Sequence, residues 1–202
     1  MNAIETFVNE LTDFQSTETV FNPYLNADAA KNLHIYLQEM MKEKGTRILL
    51  VGEAPGHKGC KITGIPFTSG SVFKNVNHSL LNKIVEKLVF SKIESENTAT
   101  IVWEYLANKS ITPLFWNSFP FHPHYEYNEN KNRTPTSEEI EIGIYYLEKL
   151  RLIYNPEVIA GIGWKGVECA KKAFPDEDIV YIRHPSYGGK PEFIVGMEEI
   201  LT

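Results

Sequence analysis

Cysteine is scarce. Two residues, Cys60 and Cys169, stand far apart and outside any CxxC spacing, which excludes a disulfide framework and leaves a four-cysteine cluster without ligands. That scarcity points to a reducing cytoplasm. Basic residues are outnumbered as well: 20 Lys and Arg against 26 Asp and Glu give a formal net charge of -6, the wrong balance for a protein that coats nucleic acid without selectivity. Long apolar runs are missing too. The amino-terminal stretch MNAIETFVNELTDFQ is acidic and amphipathic, unlike a signal peptide or a membrane span, so a soluble protein with no membrane partner is expected. No repeat or low-complexity segment occurs. No GxGxxG or GxxxxGK[ST] follows the first apolar strand, which argues against a nucleotide-cofactor enzyme on a doubly wound sheet.

What is present is a globular composition, 43% hydrophobic over 202 residues, enough for one core and one domain over 1–202. The chain is organised around Arg47 to Gly70, RILLVGEAPGHKGCKITGIPFTSG. Ile48 to Val51 is an unbroken apolar run, as a strand covered on both faces reads. Gly52-Glu53-Ala54-Pro55-Gly56 cannot continue it, because proline lacks a donor and glycine opens other backbone geometry. Further strands are predicted at Ile111–Trp116, Val158–Ile162 and Ile179–Ile182. Helices are predicted over 1–15, 28–44 (closed by Gly45), 71–90, 100–107, 137–154, 163–174 and 192–201. The polar tract Tyr125 to Thr136 reads as a long loop. Trp103, Trp116 and Trp164 read as core. Alternating strands and helices imply a three-layer α/β/α sandwich with a central, mainly parallel four-stranded sheet.

Parallel strands send their carboxyl ends to one edge, where open α/β sheets bind ligands. Three unusual segments meet there: Gly52 to Phe67, the loop opened by Asn117, and His184-Pro185-Ser186. Lys58 and Lys61 fall in the first of them, Arg183 and Lys190 flank the last, and Lys131 and Arg133 lie in the polar tract. They would make that edge locally cationic, or they are a solvated scatter of lysines and arginines.

VGEAPG, TGIPF, an asparagine closing an apolar strand, NRTP and a late HPS, in that order from about residue 47 to 190, resemble the uracil-DNA glycosylase superfamily. GEAPG with Asn132-Arg133-Thr134-Pro135 is most similar to the family-four enzymes, and Thr63-Gly64-Ile65-Pro66-Phe67 to the single-strand-selective branch. The resemblance implies a monofunctional enzyme that hydrolyses the N-glycosidic bond of uracil or a related deaminated base in DNA, working as a monomer. The other reading is a binding protein that kept the pocket without turnover, recognising deaminated bases or single strands.

By resemblance, the backbone of Gly52, Ala54, Pro55 and Gly56 lines the base pocket and Phe67 stacks on the flipped base; otherwise Phe67 is a core aromatic. Asn117 offers a donor and an acceptor on one plane, matching O4 and N3–H of uracil, or it is an ordinary cap. His184 would donate to O2 as charge builds there, or it is structural. Glu53 would assist the attacking water or the cationic sugar, or face away. Candidates for DNA contacts are His57, Lys58, Ser69, Ser71, Ser118, Arg183, Ser186, Tyr187 and Lys190, with Tyr187 as a wedge.

The chain departs from its relatives in three places. Ala54 stands where the best-known branch has an Asp. His57, Lys58 and Gly59 replace the acidic residues usual after GEAPG. Two cysteines cannot ligate the iron-sulfur cluster of family four, so no cofactor is expected. His122 and His124 with His57 and Cys60 could gather around zinc, but their spacing matches no strong pattern, and no metal is expected.

Overall fold

The computed structural model describes residues 2–201. In chain order it begins with helix α1 (Ala3–Asp13), the short strand β1 (Val20–Phe21) and helix α2 (Ala27–Met40), leading into strand β2 (Ile48–Gly52). Helices α3 (Cys60–Thr63), α4 (Gly70–Asn75), α5 (Ser79–Ile84) and α6 (Asn97–Leu106) precede strand β3 (Leu114–Asn117). A hairpin of β4 (His122–Tyr125) and β5 (Asn128–Asn132) comes before the long helix α7 (Ser137–Tyr154). Strand β6 (Val158–Ile162), helix α8 (Gly163–Ala173), strand β7 (Ile179–Ile182) and helix α9 (Lys190–Ile200) complete it.

Four strands form one parallel sheet in the order β3-β2-β6-β7. All residues of β2 are buried, which is why that strand has an unbroken apolar run instead of alternation. On β3, Phe115 packs on Trp103 of α6 with ring centroids 6.0 Å apart, and its neighbour Trp116 packs on Phe7 of α1 at 5.3 Å. Successive side chains of a strand point to opposite faces, so helices cover both, and the α/β/α sandwich is as the sequence predicts. β3 is an edge strand. The Phe115 amide donates to the Tyr36 hydroxyl of α2 at 3.0 Å, a buried partner for a group that a one-sided ladder leaves over.

Several local expectations are overturned. The helix predicted over 71–90 is broken into α4, α5 and a 3-10 turn at Val85–Lys87. Val76 is extended, and the His78 ring caps the next helix by accepting the Leu80 amide at 3.2 Å. The apolar stripe survives the break in part: Val72, Leu80, Leu81 and Ile84 are buried, Val76 and Leu88 are half-buried, and Val89 is exposed. The second strand starts at Leu114 and not Ile111, since Pro113 cannot donate to a ladder, and it runs on to Asn117, paired in register with Gly52. The helix over 28–44 ends at Met40, before the expected cap at Gly45.

The tract Tyr125 to Thr136 is not a loop throughout. Asn128–Asn132 pairs with β4, which pairs with β1, giving a three-stranded antiparallel sheet. Every residue of β5 is exposed, so no apolar alternation marks it in the sequence. Trp103 and Trp116 are core residues, whereas Trp164 is 72% exposed.

Candidate active site at the carboxyl edge of the sheet

The carboxyl ends of β2 and β3 are bolted together. The Ser118 amide and hydroxyl both donate to the Gly52 carbonyl, at 2.8 and 2.7 Å, and the Phe119 amide donates to the Glu53 carbonyl at 3.1 Å. The Phe67 ring lies directly over Gly52. A Cβ placed there would stand 2.3 Å from Phe67 Cζ and 3.2 Å from Asn117 Oδ1, so glycine is required for ring and amide to sit side by side. Phe67 itself has φ 56, a left-handed backbone that costs a non-glycine residue energy and is held only by its surroundings. Trp103 Nε1 donates to the Phe67 carbonyl at 2.9 Å, and the ring packs on Phe115 with centroids 5.2 Å apart.

Phe67, Asn117 and His184 line one cavity of about 350 Å³. Asn117 is buried, and no hydrogen bond from another described residue engages its amide group, which leaves both ends free for a ligand. His184 arrives from the loop after β7. Its Nδ1 accepts the Ser186 amide at 3.2 Å, so that nitrogen carries the lone pair and the proton of the neutral ring sits on Nε2. Burial pushes its pKa below the ordinary imidazole value, opposed by the Glu96 carboxylate and reinforced by Arg183. The side chain is therefore a neutral donor at pH 7.

The charged side chains of this cavity are acidic. Glu53 and Glu96 line it, with no lysine or arginine among the described residues there. Glu96 caps α6, its two oxygens accepting the Thr98 and Ala99 amides at 3.0 and 2.7 Å. Glu53 is different. Its Oε1 is buried without a hydrogen-bond partner, and the residue also borders a second pocket of about 70 Å³ beside Thr136, Ser137 and Cys169, enough for a water to meet a carboxylate. Cys60 and Cys169 are both buried, and burial raises each thiol, Cys60 to about 12, so neither is a nucleophile near neutral pH.

Of the predicted site residues, Glu53, Ala54, Pro55, Gly56, Phe67, Asn117, His184, Ser186 and Tyr187 share this cavity, and Gly52 lies behind it, against the Phe67 ring and the Asn117 amide. Others lie elsewhere. Ser69 and Ser118 are fully buried, with hydroxyls used on Ser71 and Gly52, so neither meets a phosphate at the surface. His57 borders a neighbouring pocket of about 200 Å³, and its Nδ1 bonds Asn132 Oδ1 at 3.0 Å. Lys58 is exposed. Arg183 donates to the His184 carbonyl at 3.2 Å, and Lys190 pairs with Glu104 at 3.6 Å. Lys61 and Arg133 are likewise paired, with Glu129 and Glu139, so three of the six cations considered for that edge are matched by carboxylates.

Sequence reasoning missed Glu96, Thr98 and Thr68, which also line the cavity. Glu96 follows a polar stretch with no strand before it, and nothing in its neighbourhood points to the sheet edge. Thr98 reaches the His184 loop through its hydroxyl, 3.0 Å from that of Ser186. Asn132 lines the cavity as well, and the NRTP motif was its signal. His122, fully buried, reaches the Pro55 carbonyl through Nδ1 at 2.7 Å and the Glu129 carbonyl through Nε2 at 2.9 Å. Its contacts tie the Gly52–Gly56 turn to the hairpin, and among the described residues no cluster of His, Cys, Asp and Glu is grouped to hold a metal.

A family model described as the Uracil DNA glycosylase superfamily matches residues 40–191. Among solved structures, wild-type SMUG2 of Pedobacter heparinus matches with a TM-score of 0.65 at 16% sequence identity, over 99% of this chain and 98% of that one. At that identity the likeness speaks for the fold. No curated protein matches the chain.

Proposed function

The chain belongs to the uracil DNA glycosylase superfamily, and from that premise we propose that it releases uracil, or a related deaminated base, from DNA by hydrolysing the N-glycosidic bond. The observation that carries the reading is the single cavity shared by an aromatic ring, an unengaged planar amide and a neutral imidazole donor, Phe67, Asn117 and His184. An extruded base stacks on Phe67. The Asn117 amide pairs with O4 and N3–H, an edge that cytosine does not present. As the C1′–N1 bond breaks, its electron pair passes into the base, and His184 Nε2–H donates to the O2 that gains negative charge.

The two carboxylates serve the other fragment. Positive charge develops on the sugar, and Glu53 and Glu96 give the cavity the opposite sign. Water adds to C1′ and gives up its proton. We assign that proton to Glu53, because its Oε1 has no protein partner whereas both oxygens of Glu96 are held by helix amides. Glu53 thereby takes the part for which Ala54 has no carboxylate. A water nucleophile makes the enzyme monofunctional, in keeping with a cavity that no described lysine lines.

The test is a single-stranded oligonucleotide with one uracil, incubated with the protein and then treated with hot alkali. Strand breaks at the uracil are the expected result. A gel shift without breaks would replace hydrolysis by recognition alone.

A further inference from the structure

Trp164 lacks the packing role that a tryptophan usually has. Trp103 and Trp116 are fully buried, while Trp164 is 72% exposed and stacks on Tyr181 of β7, with ring centroids 4.4 Å apart and planes 28° from parallel. It follows Gly163, whose backbone lies against the next functional segment: a Cβ on Gly163 would be 3.5 Å from His184 Cβ. The aromatic pair therefore stands one residue away from a contact with the cavity wall. On the other side of His184, Tyr187 is 99% exposed at the cavity lip. Next to Trp164, the Lys165 side chain is exposed and its ammonium lies 3.6 Å from the Glu168 carboxylate.

We propose that Trp164, backed by Tyr181, is a stacking platform for an unpaired base of single-stranded DNA next to the base held in the cavity, with Lys165 beside it for the backbone phosphate. The inference rests on the cavity being the seat of a DNA base. The chemistry favours an unpaired base over other occupants. Every nucleobase offers a π face, which stacks on an exposed indole without regard to sequence, and a duplex hides that face. A rigid aromatic pair loses little freedom on binding. Polar residues, Lys165 and Glu168, adjoin it on α8, where a protein docking site would want a broader apolar surface.

The experiment uses uracil-free strands, so that base release does not enter. Oligothymidine is titrated into the wild-type protein and into Trp164→Ala while tryptophan emission is followed; Trp103 bonds the Phe67 carbonyl, so the quenching that Trp164→Ala loses is what reports on Trp164. Quenching is expected, with Trp164→Ala weakening binding roughly 5- to 150-fold. Trp164→Phe, which keeps a ring and preserves folding, is expected to lose much less. The same sequence as a duplex is expected to bind more weakly and to quench less. Unchanged emission with unchanged affinity in both variants would overturn the platform, as would equal quenching by duplex, or quenching by rising protein concentration alone, which would assign the patch to self-association. Uracil release by wild type alongside any of those results would leave the proposed function standing and sink only this inference. Quenching by oligothymidine without uracil release would do the reverse.

Discussion

The two walls of the cavity are built on opposite plans. The β2–β3 wall is closed: Gly52, Asn117 and Ser118 are buried, their backbones are locked to one another, and the Phe67 ring fills the space that a Cβ would need. The β7 wall is open. Its loop carries His184 and Ser186 half-buried and Tyr187 almost wholly exposed, and around Gly188 nothing lies within 4 Å of a Cβ position. In the proposed reaction the closed wall reads the base and the open wall answers the charge that appears on it. Selectivity needs positions fixed before the ligand arrives, since unmatched buried groups are what reject the wrong base. A loop that admits DNA needs room.

That contrast is broken most severely at His184. His184→Ala is expected to lower kcat for uracil release roughly 10²- to 10³-fold while oligonucleotide affinity stays within about threefold, as for loss of one donor to a developing oxyanion. An equal loss in affinity would make His184 a binding residue. On the closed wall, Asn117→Asp is expected to cut uracil release by roughly 10- to 100-fold, because one buried hydrogen bond turns repulsive, and to narrow the preference for uracil over cytosine. Competition between uracil and cytosine in otherwise identical strands measures this, and undiminished selectivity would take base reading away from Asn117.

Both walls could be read from sequence, whereas parts of their surroundings could not. Ile48 to Val51 gave itself away by lacking alternation, and Gly52, Asn117 and His184 by standing where parallel strands end, so the sheet and its edge were legible. The hairpin was not. Its outer strand, Asn128–Asn132, is exposed along its whole length and held by backbone pairing and by Lys61 on Glu129, neither of which leaves a hydropathy period. Glu96 was hidden for another reason: its place at the cavity comes from the tertiary fold, and locally it is only a helix cap. Trp164 misled because large aromatics usually seek the core, whereas here a helix start beside an edge strand holds one in solvent.

Two glycines compare the walls directly. Gly52→Ala would push a methyl into the Phe67 ring, at 2.3 Å from Cζ, and Phe67 is already fixed by Trp103 and by an unfavourable φ; a loss of about 1–3 kcal/mol in urea unfolding is expected, together with loss of base release. Gly188→Ala meets no atom. Its φ of 78 still penalises a side chain, by about 1 kcal/mol, with base release retained. Equal effects at both positions would mean that the closed wall relaxes as readily as the open one.

The mildest test is acidification, because it acts through single protons. Burial lowers the pKa of His122 and of His184 below 6.5; for His122, burial outweighs the two carbonyl contacts, with Lys61 and His124 adding to it. A folded pKa below the unfolded one means that the unfolded chain takes up protons first as pH falls. The stability these groups contribute is complete above about pH 6.5 and is lost as pH drops from there through their folded values. Glu129, held below 4.5 by Lys61, titrates lower, whereas His78, lowered by burial as well, shares the window. Melting temperature is therefore expected to be flat from about pH 7 to 8 and to decline toward about pH 5. His122→Gln should decline less steeply, since Gln has no proton to gain and so carries no buried charge at low pH. If wild type and variant fall in parallel, the imidazole bonded to the Pro55 carbonyl titrates alike in both states, and the acid sensitivity belongs to His184 on the open wall or to buried His78.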